Sequence, residues 1–89
     1  MAKAIVDPAE LRKFARDLAR FTQELQSMTA SMNSKMNQLE QSWRDQEQKK
    51  FAEEFRQTTR ALGRFGEASQ QHVQFLVKKA TQIEDYLNQ

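Results

Sequence analysis

At the midpoint of this 89-residue chain the sequence reads Leu39-Glu40-Gln41-Ser42-Trp43-Arg44-Asp45-Gln46-Glu47-Gln48-Lys49-Lys50-Phe51. This stretch contains the only tryptophan and separates two long segments with helical periodicity. Asp45, followed three residues later by Gln48, resembles a capping box that starts a helix. We therefore predict a turn at about residues 43–45. Helices joined by so short a connection lie antiparallel, so the sequence predicts a helical hairpin with Trp43 at its closed end.

The first helix has a clear start. Asp7 is suited to the N-cap, Pro8 to the first helical position, and Glu10 to the closing position of a capping box. From there the apolar residues recur at steps that alternate between three and four, which is a heptad pattern. We predict helix one from about Pro8 to about Ser42. Its predicted inward residues are Leu11, Phe14, Leu18, Phe21, Leu25, Met28, Met32, Met36 and Leu39.

The second helix is predicted at about residues 46–87, and its pattern continues almost to the last residue. Gly66 falls on the inward edge of this pattern, where we expect another backbone to approach closely. Gly63 has no evident role, and local bending of the helix near Leu62 to Gly66 is the alternative. The predicted inward residues are Phe51, Phe55, Thr58, Leu62, Phe65, Ser69, Val73, Leu76, Ala80, Ile83 and Leu87.

The composition is typical of one small all-α domain. It contains two glycines, one proline and no cysteine, so a disulfide framework and a thiolate metal site are both excluded. The longest apolar run, Phe75-Leu76-Val77, is too short to cross a bilayer. The first seven residues lack the apolar core of a cleavable signal peptide. A formal net charge of +2 indicates no particular partner.

The apolar set is wider than one hairpin can cover. Ala61, Phe65, Ala68 and Phe75 form a second track on helix two. Leaving several phenylalanines in water would forfeit several kcal/mol at about 25 cal/mol per Å², which is comparable to the stability of a small domain. We therefore predict an antiparallel two-helix hairpin that pairs as a dimer into a four-helix bundle. Either a homodimer or a heterodimer with a related hairpin fits this pattern.

The sequence contains no arrangement of residues typical of catalysis. No nucleophile with a base, phosphate loop or inward carboxylate pair is present, so we predict no catalytic residue and no cofactor. His72 is the only histidine and has no second imidazole beside it, so no metal site is predicted. Nucleic acid is disfavoured as a partner because acidic residues lie near two basic ridges. These ridges consist of Arg12, Arg16 and Arg20 and of Arg56, Arg60 and Arg64.

Trp43 lies at the midpoint, Leu39 four residues before it and Phe51 eight residues after it. In this pattern the whole chain resembles the WXG (Trp-X-Gly) family, the small ESAT-like helical hairpins of type VII secretion. The resemblance places the family's glycine at Asp45, which suits a left-handed turn less well but can cap the next helix. Plugging the end of the core and being recognised by a partner are both open roles for Trp43.

The resemblance implies a non-enzymatic substrate or component of type VII secretion that acts by helical dimerisation and partner recognition. Its recognition residues would be Trp43, Arg44, Asp45, Phe51 and Tyr86, read by a secretion ATPase or another partner. In the family a tyrosine is followed four residues later by an acid, whereas only three residues follow Tyr86 here. The implied location is outside the cell, by a route independent of a signal peptide. The alternative is an intracellular coiled-coil adaptor that stays in the cytoplasm.

Overall fold

The computed structural model describes residues 6–88, which form two α-helices that pack against each other in antiparallel orientation. Helix α1 spans Pro8–Glu40 and helix α2 spans Gln46–Leu87. This architecture confirms the predicted all-α helical hairpin. The opening residues considered in the search for a signal peptide lie partly outside the described range.

Helix α1 ends two residues before the predicted end at about Ser42. The amide groups of Gln41 and Ser42 each donate to a carbonyl three residues earlier, and the amide of Trp43 donates to Leu39 O at 2.9 Å. These tight bonds close the last turn and satisfy carbonyls that a helix end leaves free. The chain then reverses within five residues before α2 begins.

Both helices begin with an aspartate cap. The Asp7 carboxylate accepts a hydrogen bond from Ala9 N at 2.9 Å, and Pro8 occupies the first helical position. The Asp45 carboxylate accepts from Gln48 N, also at 2.9 Å. Each cap satisfies one of the backbone amides that the first helical turn leaves without a partner.

The helices meet along a stripe of small side chains. Ala15 and Thr22 of α1 are buried, as are Ala52, Ser69 and Ala80 of α2. Larger residues at the same heptad positions are half-buried. We call these positions the contact stripe, which includes residues 11, 15, 18, 22, 25, 29 and 36 of α1, and residues 48, 52, 55, 59, 62, 66, 69, 73, 76, 80 and 83 of α2.

The contact stripe corrects the predicted inward face. Leu11, Leu18 and Leu25 belong to the stripe, but Phe14 and Phe21 lie beside it and are exposed. The phenylalanines and the small residues next to them both recur every seven residues. The spacing therefore does not show which of the two adjacent residues faces the other helix. The small residues take that place because they let the two helices approach closely. The other predicted inward residues that are exposed are Met28, Met32, Leu39, Phe51, Thr58, Phe65 and Leu87.

Gly66 is buried against side chains, not against the backbone that we expected. A Cβ atom at this position would lie 3.2 Å from Gln26 Nε2 and 3.8 Å from a methyl group of Thr22. Gly63 faces open space. The absence of a side chain at residue 66 therefore makes room for Gln26 at the edge of the contact stripe.

The hairpin is long and thin. Its extents are 66 × 22 × 15 Å and its radius of gyration is 20.0 Å, against about 12 Å for a compact domain of this length. The smallest extent is that of a single layer of helices, since one helix with its side chains is about 10–12 Å across. The molecule thus has one layer where stable domains have two.

Candidate functional site

An aromatic cluster closes the turn end of the hairpin. The rings of Trp43 and Phe51 lie 5.8 Å apart, and those of Phe51 and Phe55 are stacked at 6.0 Å. Trp43 is half-buried, so part of the indole packs against α2 and part remains accessible. The structure therefore brings together Trp43 and Phe51, two of the five residues predicted for recognition.

The two residues after Trp43 have separate tasks. Arg44 is exposed, and its Nε atom donates to the carbonyl of Gln41 at 3.2 Å. Asp45 is the N-cap of α2, with an extended backbone at φ −101° and ψ −176°. Its φ is not in the left-handed region, so the turn does not require glycine at residue 45.

Tyr86 lies at the opposite end of the molecule from this cluster. It belongs to the last turn of α2, and 76% of its surface is exposed. One hairpin therefore presents its turn residues and its terminal tyrosine at the two ends of a 66 Å rod. A partner domain that binds one end of a single hairpin therefore does not reach the residues at the other end.

One broad side of the hairpin is apolar. On both helices large side chains immediately precede positions of the contact stripe, as Phe21 precedes Thr22 and Phe65 precedes Gly66. The rings of Phe21 and Phe65 meet edge to face at 6.1 Å, which shows that the two rows lie on the same side. We call this surface the apolar side, and it consists of Phe14, Phe21, Met28, Phe51, Phe65 and Phe75. Met32 and Leu39 are exposed as well, but they continue the heptad row of Leu11, Leu18 and Leu25 toward the turn.

The apolar side is substantially open to solvent. The exposed fractions are 59% for Phe14, 66% for Met28 and 65% for Phe75. Ala61 and Ala68 of the predicted second track are exposed as well and border Phe65. Contiguous apolar surface of this kind marks an interaction site on a small protein.

The remaining predicted core residues lie in the contact stripe. They are half-buried between the helices and do not contribute to the apolar side. They are Leu11, Leu18, Leu25, Met36, Phe55, Leu62, Val73, Leu76 and Ile83. The predicted core is thus divided between an internal contact and an external surface.

Sequence reasoning missed the small residues that hold the helices together. Ala15, Thr22, Ala52 and Ser69 are among the most buried side chains, yet none was assigned to the core except Ser69. A signal for them existed. Small residues recur at multiples of seven along each helix, and small side chains at a fixed heptad position indicate close helix packing.

The opposite side carries ion pairs, and we call it the polar side. Arg12 and Arg56 immediately follow stripe positions, so the rotation of the helix puts them across the stripe from the phenylalanines. Arg12 donates two hydrogen bonds to the Glu84 carboxylate, at 2.6 and 3.0 Å. Arg56 lies 3.5 Å from Glu40 and 3.8 Å from Glu53.

The Arg12–Glu84 pair ties the open end of the hairpin together. Its hydrogen bonds lower the pKa of Glu84 from the usual glutamate value and raise the pKa of Arg12. Arg12 also donates to the Thr81 hydroxyl at 3.0 Å. Two residues of the predicted basic ridges are therefore bound to acids of the other helix.

Within residues 6–88 no group of three His, Cys, Asp or Glu side chains is placed to hold a metal ion. Neither helix in this range has a segment long and apolar enough to span a membrane. His72 is exposed. The surfaces described for the hairpin are the apolar side, the aromatic turn and the polar side.

These features define a class of protein: a small helical hairpin with an aromatic turn and one open apolar side. The family described as proteins of 100 residues with WXG, WXG100, matches residues 4–86. The chain belongs to the WXG100 family. Members of this family are small non-enzymatic helical hairpins, in agreement with the prediction that this chain is not an enzyme.

Solved structures with the same fold come from the secreted protein EsxB of Bacillus anthracis str. Sterne. One is 26% identical, covers 97% of this chain and 98% of its own, and has a TM-score of 0.82. Two structures of EsxB mutants have TM-scores of 0.81 and 0.80 at 26% and 25% identity. They cover 94% and 99% of this chain, and each covers 97% of its own chain. A search among curated proteins found no match.

Proposed function

We propose that this protein is an ESAT-like type VII secretion substrate or component that acts by pairing with a second hairpin and by being recognised by other proteins. Its family and its similarity to the secreted protein EsxB support export by a route that needs no signal peptide. The exposed apolar side is the observation that carries the proposal, because it is a surface suited to pairing with another protein.

The amount of exposed surface supports pairing. The hairpin has 7361 Å² of accessible surface, whereas a compact monomer of this mass would have about 5,400 Å². The excess is larger than the roughly 800 Å² that each partner buries in a standard protein interface. Stacking a second hairpin on the apolar side would add the missing layer and form a four-helix bundle.

The partner in this bundle is a second copy of the chain or a related hairpin. WXG100 proteins commonly form dimers with related hairpins. In a dimer whose two hairpins lie antiparallel, the turn of one hairpin lies beside the Tyr86 end of the other. A composite surface would then form from Tyr86 of one copy and the turn residues Trp43, Arg44, Asp45 and Phe51 of the other. This surface is the proposed binding site for a secretion ATPase.

Export can be tested directly in a strain with a working type VII system. We expect the protein in the culture medium of this strain and its retention in cells that lack the membrane ATPase. Release that is independent of the ATPase would overturn the secretion proposal. Retention in both strains would favour the alternative, an intracellular coiled-coil adaptor that uses the same apolar side in the cytoplasm.

Pairing can be tested separately with purified protein. Phe21→Glu places a charge in the middle of the apolar side, where pairing would desolvate it. We expect sedimentation at micromolar concentration to give twice the 10.5 kDa chain mass for the unmodified protein and the chain mass for this variant. Val77→Glu is the matched control, since Val77 is an exposed apolar residue that follows the stripe position Leu76 and lies on the polar side.

The control variant should remain a dimer. A well-folded monomer of the unmodified protein, shown by full helicity at micromolar concentration, would contradict pairing with a second copy. Loss of the dimer in both variants would contradict the assignment of the apolar side as the pairing surface.

A further inference from the structure

A groove runs along the polar side next to the turn. Its larger part, of about 590 Å³, lies between the last turns of α1 and the first turns of α2, with the buried residues Gln48 and Ala52 in its lining. It shares lining residues with a second hollow of about 270 Å³ that reaches Arg60. The small side chain of Ala52 lines both parts and leaves the space between the helices open.

Most of the charged residues that line this groove are cationic. Arg44, Lys49, Arg56 and Arg60 line it, and Glu40 is its acidic residue. Glu40 lies 3.5 Å from Arg56, so these two charges compensate each other. Among residues 6–88, no acidic side chain forms a salt bridge with the other three cations.

The groove also offers neutral hydrogen-bond donors. The amide side chains of Asn37, Gln41 and Gln48 line its larger part. Arg44 uses its Nε atom to bond the Gln41 carbonyl, which orients the guanidinium group while its two Nη atoms remain available as donors. An arginine held in this way is suited to paired hydrogen bonds with a carboxylate.

A dimer formed through the apolar side would leave the groove accessible. Lys49 and Arg56 immediately follow stripe positions, whereas Phe51 and Phe65 immediately precede them. Successive helix residues are rotated by about 100°, so the two sets lie on opposite sides of the contact stripe. The groove and the pairing surface can therefore be occupied together.

We propose that this groove binds an acidic peptide segment of a partner protein. From Lys49 to Arg60 the helix rises about 16 Å, which matches about five residues of an extended peptide. Carboxylates along such a segment meet Arg44 and Lys49 at the turn and Arg60 at the far end. The proposal depends neither on export nor on pairing.

Single-stranded nucleic acid fits the groove less well. Binding of such strands combines backbone charge with aromatic side chains on which the bases stack. The larger part of the groove has no aromatic lining residue, and in the smaller part the aromatic lining residue is Phe55, which is half-buried between the helices. Glu40 and Glu53 near Arg56 also interrupt the cationic track that a phosphate backbone would follow.

Fluorescence anisotropy with two labelled probes tests the proposal. The probes are a peptide of six glutamates and a single-stranded DNA of six nucleotides, each measured at low salt against the full chain. We expect saturable binding of the peptide that weakens as salt is added. The double variant Arg44→Gln, Lys49→Gln should bind it about tenfold more weakly, because two charged donors are lost.

The matched control is the double variant Arg16→Gln, Arg20→Gln. It removes the same charge from α1, about 20 Å or more from the groove along the helix. The control should bind the peptide as the unmodified protein does, and circular dichroism should show equal helicity in all three proteins. Equal weakening in both variants, tighter binding of the DNA than of the peptide, or no saturable binding would each overturn the proposal.

Discussion

At the scale of single residues, the smallest side chains decide how the helices pack. Ala80 is fully buried and Ala52 nearly so, while most phenylalanines are exposed. Interiors are packed as densely as organic crystals, so a contact built on alanine has no room for a larger side chain. The stability of the isolated hairpin therefore depends on the absence of bulk at these positions.

Replacing Ala80 by leucine should destabilise the protein. Overpacking a close contact typically costs about 1–3 kcal/mol, because neighbouring side chains must leave their preferred rotamers. Urea denaturation followed by circular dichroism measures this change in the free energy of unfolding. Ala30→Leu is the control, since Ala30 is an exposed helical alanine, and it should change the free energy by no more than about 0.5 kcal/mol. Equal effects in both variants would show that Ala80 is not tightly packed.

At the scale of the helices, the ends are defined by caps and by one ion pair. Asp45 starts α2 with an extended backbone and a carboxylate bonded to Gln48 N. Aspartate and glycine are both accepted at an N-cap, the first for its side chain and the second for its backbone. The turn therefore does not depend on glycine at residue 45, the position where the resemblance places it.

Substitutions of Asp45 should separate these two roles. Asp45→Ala should lower the free energy of unfolding by about 1 kcal/mol, whereas Asp45→Gly should lower it by only a few tenths. Chemical denaturation of the three proteins under one set of conditions provides the comparison. A loss for glycine as large as that for alanine would mean that the carboxylate itself holds the turn.

The ion pair at the open end should make the stability depend on pH. Because Arg12 lowers the pKa of Glu84 in the folded state, the stabilisation is present above the unfolded pKa of glutamate. It is lost as the pH falls through the lower folded-state pKa. The melting temperature of the unmodified protein should therefore exceed that of Glu84→Gln at neutral pH, and the difference should shrink in acid.

Thermal melts from neutral pH down to about pH 3, below the ordinary glutamate pKa of about 4.3, measure this difference. Asp85→Asn removes a neighbouring exposed carboxylate outside the ion pair and serves as the control. A difference between the unmodified protein and Glu84→Gln that stays constant with pH would show that the Arg12 contact does not stabilise the fold.

At the scale of the whole molecule, a single layer of helices has two very different sides. The polar side carries the Arg12–Glu84 and Arg56–Glu40 pairs, and the apolar side carries most of the aromatic rings. Burial of that apolar side by a partner would contribute free energy that the isolated hairpin lacks. We therefore expect folding to be coupled to pairing.

If folding and pairing are coupled, the melting temperature should rise with protein concentration, because mass action favours the folded dimer over unfolded chains. A hundredfold increase in concentration contributes about 2.7 kcal/mol to the folded dimer, which corresponds to a rise of several degrees. Calorimetry across this range makes the measurement. The Phe21→Glu variant should melt at a temperature that does not change with concentration, and a concentration-independent melt of the unmodified protein would contradict the coupling.

Much of this architecture could be predicted from local signals. The Asp7-Pro8 start and the Asp45 cap act within a few residues, so the sequence alone located where the helices begin. The reversal beside Trp43 could be predicted for the same reason. The pairing of Arg12 with Glu84 joins residues far apart in the chain, and no sequence spacing predicts such a contact.

Two helices, one reversal beside Trp43 and an excess of apolar residues follow from the amino-acid order alone. They do so because caps, turn residues and seven-residue periods are local properties of the chain. The residues that face the other helix are known only from the packing of α1 against α2, which places Thr22 in the contact and Phe21 outside it. Two adjacent residues repeat with the same seven-residue period, so the period does not distinguish them. The short distance between the packed helices admits only the smaller of the two side chains.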